Sequence, residues 1–321
     1  MYRKISAIVI PTLIAFGIIA WMLYAVWDDL LESLQHIVPA YFAVAVLICL
    51  TAWVLRGWRY HSILRSLGYQ VPVMVSTACI FVSQTVNLIV PARLGDFVRV
   101  FILKHEYGTS YTEGISSIVV ERVFDIFTVA LLGAASVIFV LNAPPWFYTV
   151  IVIPLAAGIL FFAFLVLIGK FSTGNKYFGM ILAMLHEIRR ASLSLRSIVL
   201  LGCSSLVIWL LDILVCLAVI LMFGQQVPFA VIVLAIVIGN LVKAVPLTPG
   251  GIGTYEASVA ATLILGGVSP ETAAIIALAD HLIKNLVTLL GGIVSIYYFG
   301  DWVIPSIKDA MNTRLGGGAG P

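Results

Sequence analysis

The sequence predicts an all-α polytopic membrane protein, with six full transmembrane helices and two re-entrant hairpins arranged as two inverted repeats. Three observations carry this expectation. Of 321 residues, 62% are hydrophobic and only 10% charged, against about 25% charged in an ordinary soluble domain. The apolar residues gather into runs near the ~20 residues that cross a bilayer. Short blocks of the first half also return, in order, in the second. The composition excludes a soluble enzyme, a nucleic-acid binder and a secreted disulfide scaffold. Cys49, Cys79, Cys203 and Cys216 stand singly in apolar runs, without disulfide or metal spacing.

Full-length spans are predicted at 5–27, 38–56, 114–141, 147–169, 197–223 and 270–297. The first is too long for a signal peptide's apolar core and lacks a small-residue cleavage site. Two other apolar stretches, 71–103 and 228–266, are broken by NLIVPARLGDF and PLTPGGIGTYE. Such breaks are tolerated at membrane depth only where protein or a wet cavity satisfies the freed backbone groups. Each stretch therefore reads as a re-entrant pair of half-helices.

Cytoplasmic loops collect Lys and Arg, which sets the orientation. Arg3 and Lys4 put the N-terminus inside, and Asp28, Asp29 and Glu32 follow the first span outside. Arg56, Arg59 and Arg65 then lie inside, and a hairpin at 71–103 returns Lys104 to the cytoplasm. Lys170, Lys176, Arg189, Arg190 and Arg196 also fall inside, as do Lys308 and Arg314. Eight plain spans would keep both termini inside as well, but would export the 104–113 loop. The expected organisation is a membrane half over 1–169, a cytoplasmic amphipathic linker over 170–196, a second half over 197–300 and a cytoplasmic tail over 301–321. The expected location is the plasma membrane, with multiple passes and both termini cytoplasmic.

The repeat is legible in five blocks. Gly68-Tyr69-Gln70-Val71-Pro72 returns as Gly224-Gln225-Gln226-Val227-Pro228, and Pro91 and Gly95 match Pro249 and Gly253. Ser110 matches Ser269, and Glu121-Arg122-x-x-Asp125 matches Asp280-His281-x-x-Lys284, the offset drifting only from 156 to 159. Three full crossings between equivalent points would give the halves opposite orientation. Inverted repeats recur in secondary transporters, with the site at the repeat interface. Retention for packing alone is the alternative.

A charge at the bilayer centre costs a few kcal/mol on insertion scales, so each needs a partner or a task. Glu121, Arg122 and Asp125 lie in the 114–141 span, with Arg122 and Asp125 three apart on one helix face and Glu121 and Asp125 four apart. Asp280, His281 and Lys284 occupy the last span, Asp280 and Lys284 at the favourable spacing of four. Each cluster alone could be a structural tie. Their matched positions point to a shared polar cavity. The hairpin turns add Arg93, Asp96 and Arg99 on one side, and Lys243, Thr248 and Glu256 on the other. Pro249, Gly250, Gly251 and Gly253 would let backbone approach a ligand, and a half-helix beginning near Gly251 would face a phosphate with free amides. Arg93, Lys243 and Lys284 would add charge. The competing reading is that a re-entrant tip simply needs Gly and Pro.

Other signals are weaker. His105-Glu106 lacks the second His of a zinc-protease helix, no metal or cofactor is expected, and no nucleotide motif is present. Segment 56–66 mixes Arg with Trp and Tyr and reads as an interfacial anchor. Segment 170–196 reads as an amphipathic stretch lying on the membrane.

The strings NLIVPARLGDFVRVFILKHEYGTSYTEGISSIVVERVFD and VPLTPGGIGTYEASVAATLILGGVSPETAAIIALADHLIKN resemble the lysylphosphatidylglycerol synthase transmembrane, or flippase-like, integral membrane domain family. Its P-x-R-x-G-[ED]-x-x-R turn falls on Pro91, Arg93, Gly95, Asp96 and Arg99. Its E-R-x-x-D helix falls on Glu121, Arg122 and Asp125, and its P-G-G-I-G-x-x-E turn on Pro249, Gly250, Gly251, Gly253 and Glu256. Asp96 stands where Glu is common. The resemblance implies translocation of a lipid between leaflets, of phosphatidylglycerol type or linked to a polyprenyl phosphate. In relatives the domain is fused to an aminoacyl-lipid synthase or joined to glycosyltransferases, so a separately encoded partner of either kind is compatible, as is a homo-oligomer. The chain ends just past its last span, and the expectation is a transporter and not an aminoacyl-lipid synthase. A lipid-headgroup transferase or hydrolase, with Glu121, Asp125 or Asp280 as general base, and a non-catalytic partner of a glycosyltransferase are the alternatives.

Overall fold

The computed structural model describes residues 17–24, 26–35, 37–90, 93–140, 143–169, 176–245 and 248–300, with Leu13, Phe171 and Trp302. Arg3, Lys4, Pro91, Lys170, Lys308 and Arg314, most of the first predicted span and nearly all of the predicted tail lie outside the described residues. A short helix α1 (17–24) and α2 (Trp27–Gln35) lead into the first long helix, α3 (Pro39–Ser66). Next come α4 (Val73–Ile89), α5 (Gly95–Tyr107), α6 (Tyr111–Val137), α7 (Pro145–Ile168) and α8 (Lys176–Ser192). The second half comprises α9 (Leu195–Met222), α10 (Phe229–Ala244), a 3-10 turn (Pro249–Gly251), α11 (Thr254–Leu265) and α12 (Pro270–Phe299).

The helix pattern repeats. Pro39 to Leu195 and Val73 to Phe229 are each 156 residues apart, and Gly95 to Thr254 and Tyr111 to Pro270 are each 159. The recurring pentapeptide explains one joint. Gly68 and Gly224 both adopt positive φ after the long helix, at 101° and 67°, where only Gly carries no steric penalty. Pro72 and Pro228 then stand as N-caps of α4 and α10. Ser110 and Ser269 start the next long helices, accepting from Glu113 N at 3.1 Å and Thr272 N at 3.3 Å.

Packing follows the same exchange. Helix α3 packs on α9, α4 on α12 as α6 on α10, and α6 on α9 as α12 on α3. Thr85 of α4 donates to Thr288 O of α12 at 3.0 Å. One turn on, a Cβ at Gly292 would fall 1.9 Å from Thr85 Oγ1, so only glycine lets these helices touch.

Among the described residues, four helices are long and apolar enough to cross a membrane: α3, α7, α9 and α12. Helix α6 is as long, at 27 residues, but carries Glu113, Glu121, Arg122 and Asp125. On α7, Val152, Ile153, Leu160, Phe164 and Leu167 are exposed, a continuous apolar surface that lipid would cover.

One expectation is corrected. The helix that carries the second predicted span runs past residue 56: α3 is unbroken to Ser66, so segment 56–66 is helix. Arg59 is not an interfacial residue, being only 1% exposed. It stays dry because two carboxylates from α6 meet it.

Candidate functional site

Two networks of buried charge face each other, one per half. In the first, Arg59 donates to both oxygens of Asp125 at 2.5 and 2.9 Å, to Glu121 at 3.2 Å and to Ser205 at 2.6 Å. The fully buried Arg99 takes the other Glu121 oxygen and lies over the Tyr60 ring, 4.6 Å from its centroid. Trp209 of α9 donates to Asp125 at 3.1 Å. Charges this deep persist only when paired and hydrogen-bonded, since an uncompensated buried ion costs several kcal/mol.

Arg122 does not pair with Asp125, its neighbour three residues on. It reaches across to α5, where Nη2 lies 3.0 Å from each oxygen of Asp96 and Nε 3.3 Å from Oδ2. Asp96 also accepts from Asn87 at 3.0 Å, Ser83 at 3.2 Å and Gln84 at 3.4 Å. The expected local pair is replaced because Asp125 is already held by Arg59.

In the second half, Lys284 Nζ lies 3.0 Å from Asp280, the spacing-of-four pair, and 3.2 Å from Asp212 on α9. Tyr255 OH donates to Asp280 at 2.7 Å and receives Lys284 at 3.3 Å. Arg56 flanks Asp212 at 3.6 Å. Glu256 caps its own helix, accepting from Gly253 N at 2.7 Å, and its other oxygen lies 2.7 Å from His281 Nδ1. Lys243 Nζ is 3.0 Å from His281 Nε2. An ammonium only donates, so Nε2 accepts and the ring proton sits on Nδ1, given to Glu256.

The turns complete the arrangement. Gly250, Gly251 and Gly253 adopt φ of 61°, 76° and 83°, and Arg93, in the first-half turn, has φ 54°.

Between the networks lies a cavity of about 160 Å³, walled by both halves. Of the predicted site residues, Arg93, Glu121, Arg122, Asp125, Lys243, Gly250, Gly251, His281 and Lys284 line it. Asp96, Arg99, Glu256 and Asp280 stand one layer behind, each bonded to another charged residue of the networks. Pro249 and Gly253 shape the turn and are not on the wall. Sequence reasoning missed Arg56, Asp212, Trp209 and Tyr255 on the wall and Arg59 behind it. Asp212 alone had a signal, an isolated carboxylate within WLLDILVC.

The wall carries an imbalance. Among the described residues, Arg93 and Lys243 have no acidic partner within ion-pair distance. They lie within electrostatic reach of each other, and Arg93 of Arg122. Two such cations beside an open polar space suit an anion, whereas the guanidinium fork of Arg122 is already held by Asp96.

Comparison with known proteins agrees with the membrane fold. Residues 8–292 match the family model described as lysylphosphatidylglycerol synthase TM region. A protein named glycosyltransferase AglD, from Haloferax volcanii, is 29% identical over 97% of this chain, which spans 57% of that relative's length. A UPF0104 membrane protein from Methanothermobacter thermautotrophicus is 22% identical over 87% of this chain and 91% of its own. UPF0104 membrane protein MJ1078, from Methanocaldococcus jannaschii, is 28% identical over 66% of this chain and 93% of its own. With nearly its whole length matched and its apolar helices disposed for lipid, the chain belongs to the lysylphosphatidylglycerol synthase TM region family of multi-pass membrane proteins.

Proposed function

We propose that this protein moves an anionic lipid, a phospholipid or a polyprenyl-phosphate-linked lipid, between leaflets by flipping or scrambling. The headgroup passes through the cavity between the halves while the tails remain in the surrounding lipid. The observation that carries this reading is the pair of cations, Arg93 and Lys243, that line the cavity without acidic partners among the described residues. An anion entering there meets charge that no internal salt bridge has to release.

The helix lengths support the path. At 1.5 Å per residue, the 17 residues of α4 and the 16 of α10 reach about 26 and 24 Å. The 13 of α5 and 12 of α11 reach about 20 and 18 Å. All fall short of the ~30 Å hydrocarbon core, as re-entrant half-helices would. On this reading the halves are inverted and both termini are cytoplasmic, in the plasma membrane. The domain division follows: membrane halves over 1–169 and 197–300, joined by the 170–196 linker. Protein reconstituted in liposomes should move labelled phosphatidylglycerol or a polyprenyl phosphate between leaflets. Movement no faster than in empty liposomes would sink the reading.

A second reading has one observation in its favour, the glycosyltransferase name of the Haloferax relative. Here the chain would serve a separately encoded glycosyltransferase without moving lipid itself. Co-purification of such an enzyme, with no lipid movement by the isolated chain, would favour it. A lipid-headgroup transferase or hydrolase would instead leave altered lipid detectable by mass spectrometry.

A further inference from the structure

The two halves place comparable groups around the cavity, with a different residue at each of three positions. In the first half, Asn87 ends α4, Asp96 lies in the first turn of α5, and Arg122 of α6 is bonded to that carboxylate. In the second half, Lys243 ends α10, Glu256 lies in the first turn of α11, and His281 of α12 is bonded to that carboxylate. Arg122 and His281 are the matched residues of the repeat. Arg122 keeps its charge at any working pH. His281 is the one member that can gain or lose charge near neutrality.

His281 is 2% exposed, and its surroundings are charged on every side. Helix α10 brings Lys243; α11 brings Glu256 and Tyr255, whose ring centroid is 4.4 Å away. Asp280 and Lys284 lie on α12 itself. Helix α9 brings Asp212 and α3 brings Arg56, both tied to the Lys284 group. The turn before α5 brings Arg93, α4 brings uncharged Gln84 and Asn87, and α3 and α9 bring the buried thiols Cys49 and Cys216, both near the Asp280–Lys284 pair. The acids of α2, Asp28, Asp29 and Glu32, are exposed.

Lys243 serves two masters by position. Its ammonium occupies the Nε2 lone pair of His281, and it also lines the cavity where an anion would sit. While Nε2 holds that hydrogen bond it cannot accept a proton.

We propose that His281 is a proton site linked to the anion site, an inference that rests on the lipid-transport reading above. Seating a phosphate on Lys243 and Arg93 turns the ammonium away from Nε2. The freed lone pair takes a proton delivered from bulk solvent, one N–H bond forming as an O–H bond of hydronium breaks and leaves neutral water, while Nδ1–H stays on Glu256. The imidazolium adjoins Glu256 and the phosphate adjoins Lys243 and Arg93, so headgroup and proton occupy the cavity together. Loss of the anion returns Lys243 to Nε2 and expels the proton. Such a site couples lipid movement to a proton gradient, and linkage requires the reciprocal effect of protons on anion binding.

The test uses the purified full chain and a soluble short-chain phosphatidylglycerol, whose phosphodiester does not titrate near neutrality. Binding is measured in weakly buffered solution with a pH indicator, between about pH 5 and pH 8. The expected result is uptake approaching one proton per bound lipid, with affinity falling up to about tenfold per pH unit above the titration of His281. His281→Arg, which copies the first-half residue, should bind the lipid with no proton uptake and a flat pH profile. His281→Gln guards against a folding defect in that variant and should also lose the uptake. Binding by wild type without proton uptake overturns the proposal, as does uptake that persists in His281→Arg, or no binding at all. Lipid movement in liposomes is scored separately. Proton-linked binding without movement would sink the transport reading and leave this one standing, and movement by a chain that binds without proton uptake would do the reverse.

Discussion

Arg93 and Gly251 occupy the same place in the two halves, two residues after the turn proline, and both hold left-handed backbone, with φ of 54° and 76°. For Gly251 this conformation is free of steric cost. For Arg93 it costs about 1–2 kcal/mol, because Cβ crowds the following carbonyl. Backbone strain of this kind clusters at functional sites, which gives Arg93 a role that substitution can test.

Arg93→Gly should therefore separate stability from activity. The released strain of about 1–2 kcal/mol exceeds the roughly 0.4–1 kcal/mol of extra chain entropy that glycine brings to the unfolded state. The thermal midpoint should be unchanged or slightly raised, while lipid movement is lost. A midpoint lowered by several degrees would make Arg93 a structural tie.

Arg122 tests a different relationship, its fork on Asp96. Arg122→Gln leaves a buried carboxylate without its counter-charge, a loss of about 3–5 kcal/mol in a dry site. The lower end is expected, because Ser83, Gln84 and Asn87 still donate to Asp96. Adding Asp96→Asn should restore most of that stability, read as a coupling energy in a double-mutant cycle. If Arg122 also receives the headgroup, the refolded double variant stays inactive. Recovered movement would assign Arg122 to packing alone.

Much of the membrane architecture was legible because apolar run length and the positions of Gly and Pro are local signals. The charged residues of α6 and α12 were legible too, since each breaks an apolar run. Their partners were not. Arg122 and Asp125 have ideal spacing on one helix, yet each bonds a residue 26 or more positions away. Which carboxylate an arginine meets depends on how helices pack, and helical periodicity says nothing of that. Arg59 was misread for a related reason. Beside Trp58 and Tyr60 at the end of an apolar run it looks like an interfacial anchor, and only the approach of α6 and α9 buries it.

The close approach at the first-half turn predicts a steric failure. A Cβ at Gly95 would fall 2.1 Å from Ser83 O and 2.8 Å from Asn87 N, both backbone atoms of α4. No rotamer change relieves a backbone clash, so Gly95→Ala must part α4 from α5 at the point where Asp96 is held. The expected cost is about 1–3 kcal/mol, as for overpacking, measured by thermal or detergent-induced unfolding. A neutral result would mean that the hairpin is looser than this contact requires.

The inverted arrangement itself can be challenged from the two membrane faces. Cys203 is the exposed native thiol among Cys49, Cys79, Cys203 and Cys216, so the background variant is Cys203→Ser. Glu106, near the end of α5, and Glu271, at the start of α12, are both exposed and sit at corresponding ends of the two hairpins. If both hairpins are re-entrant and the halves inverted, Glu106→Cys reacts with an impermeant maleimide added from the cytoplasmic side. Glu271→Cys then reacts only from the outside. Eight plain spans would move the 104–113 loop outward, and Glu106→Cys would join Glu271→Cys in reacting from the outside. That outcome would make the halves parallel and remove the headgroup path proposed between oppositely oriented hairpins.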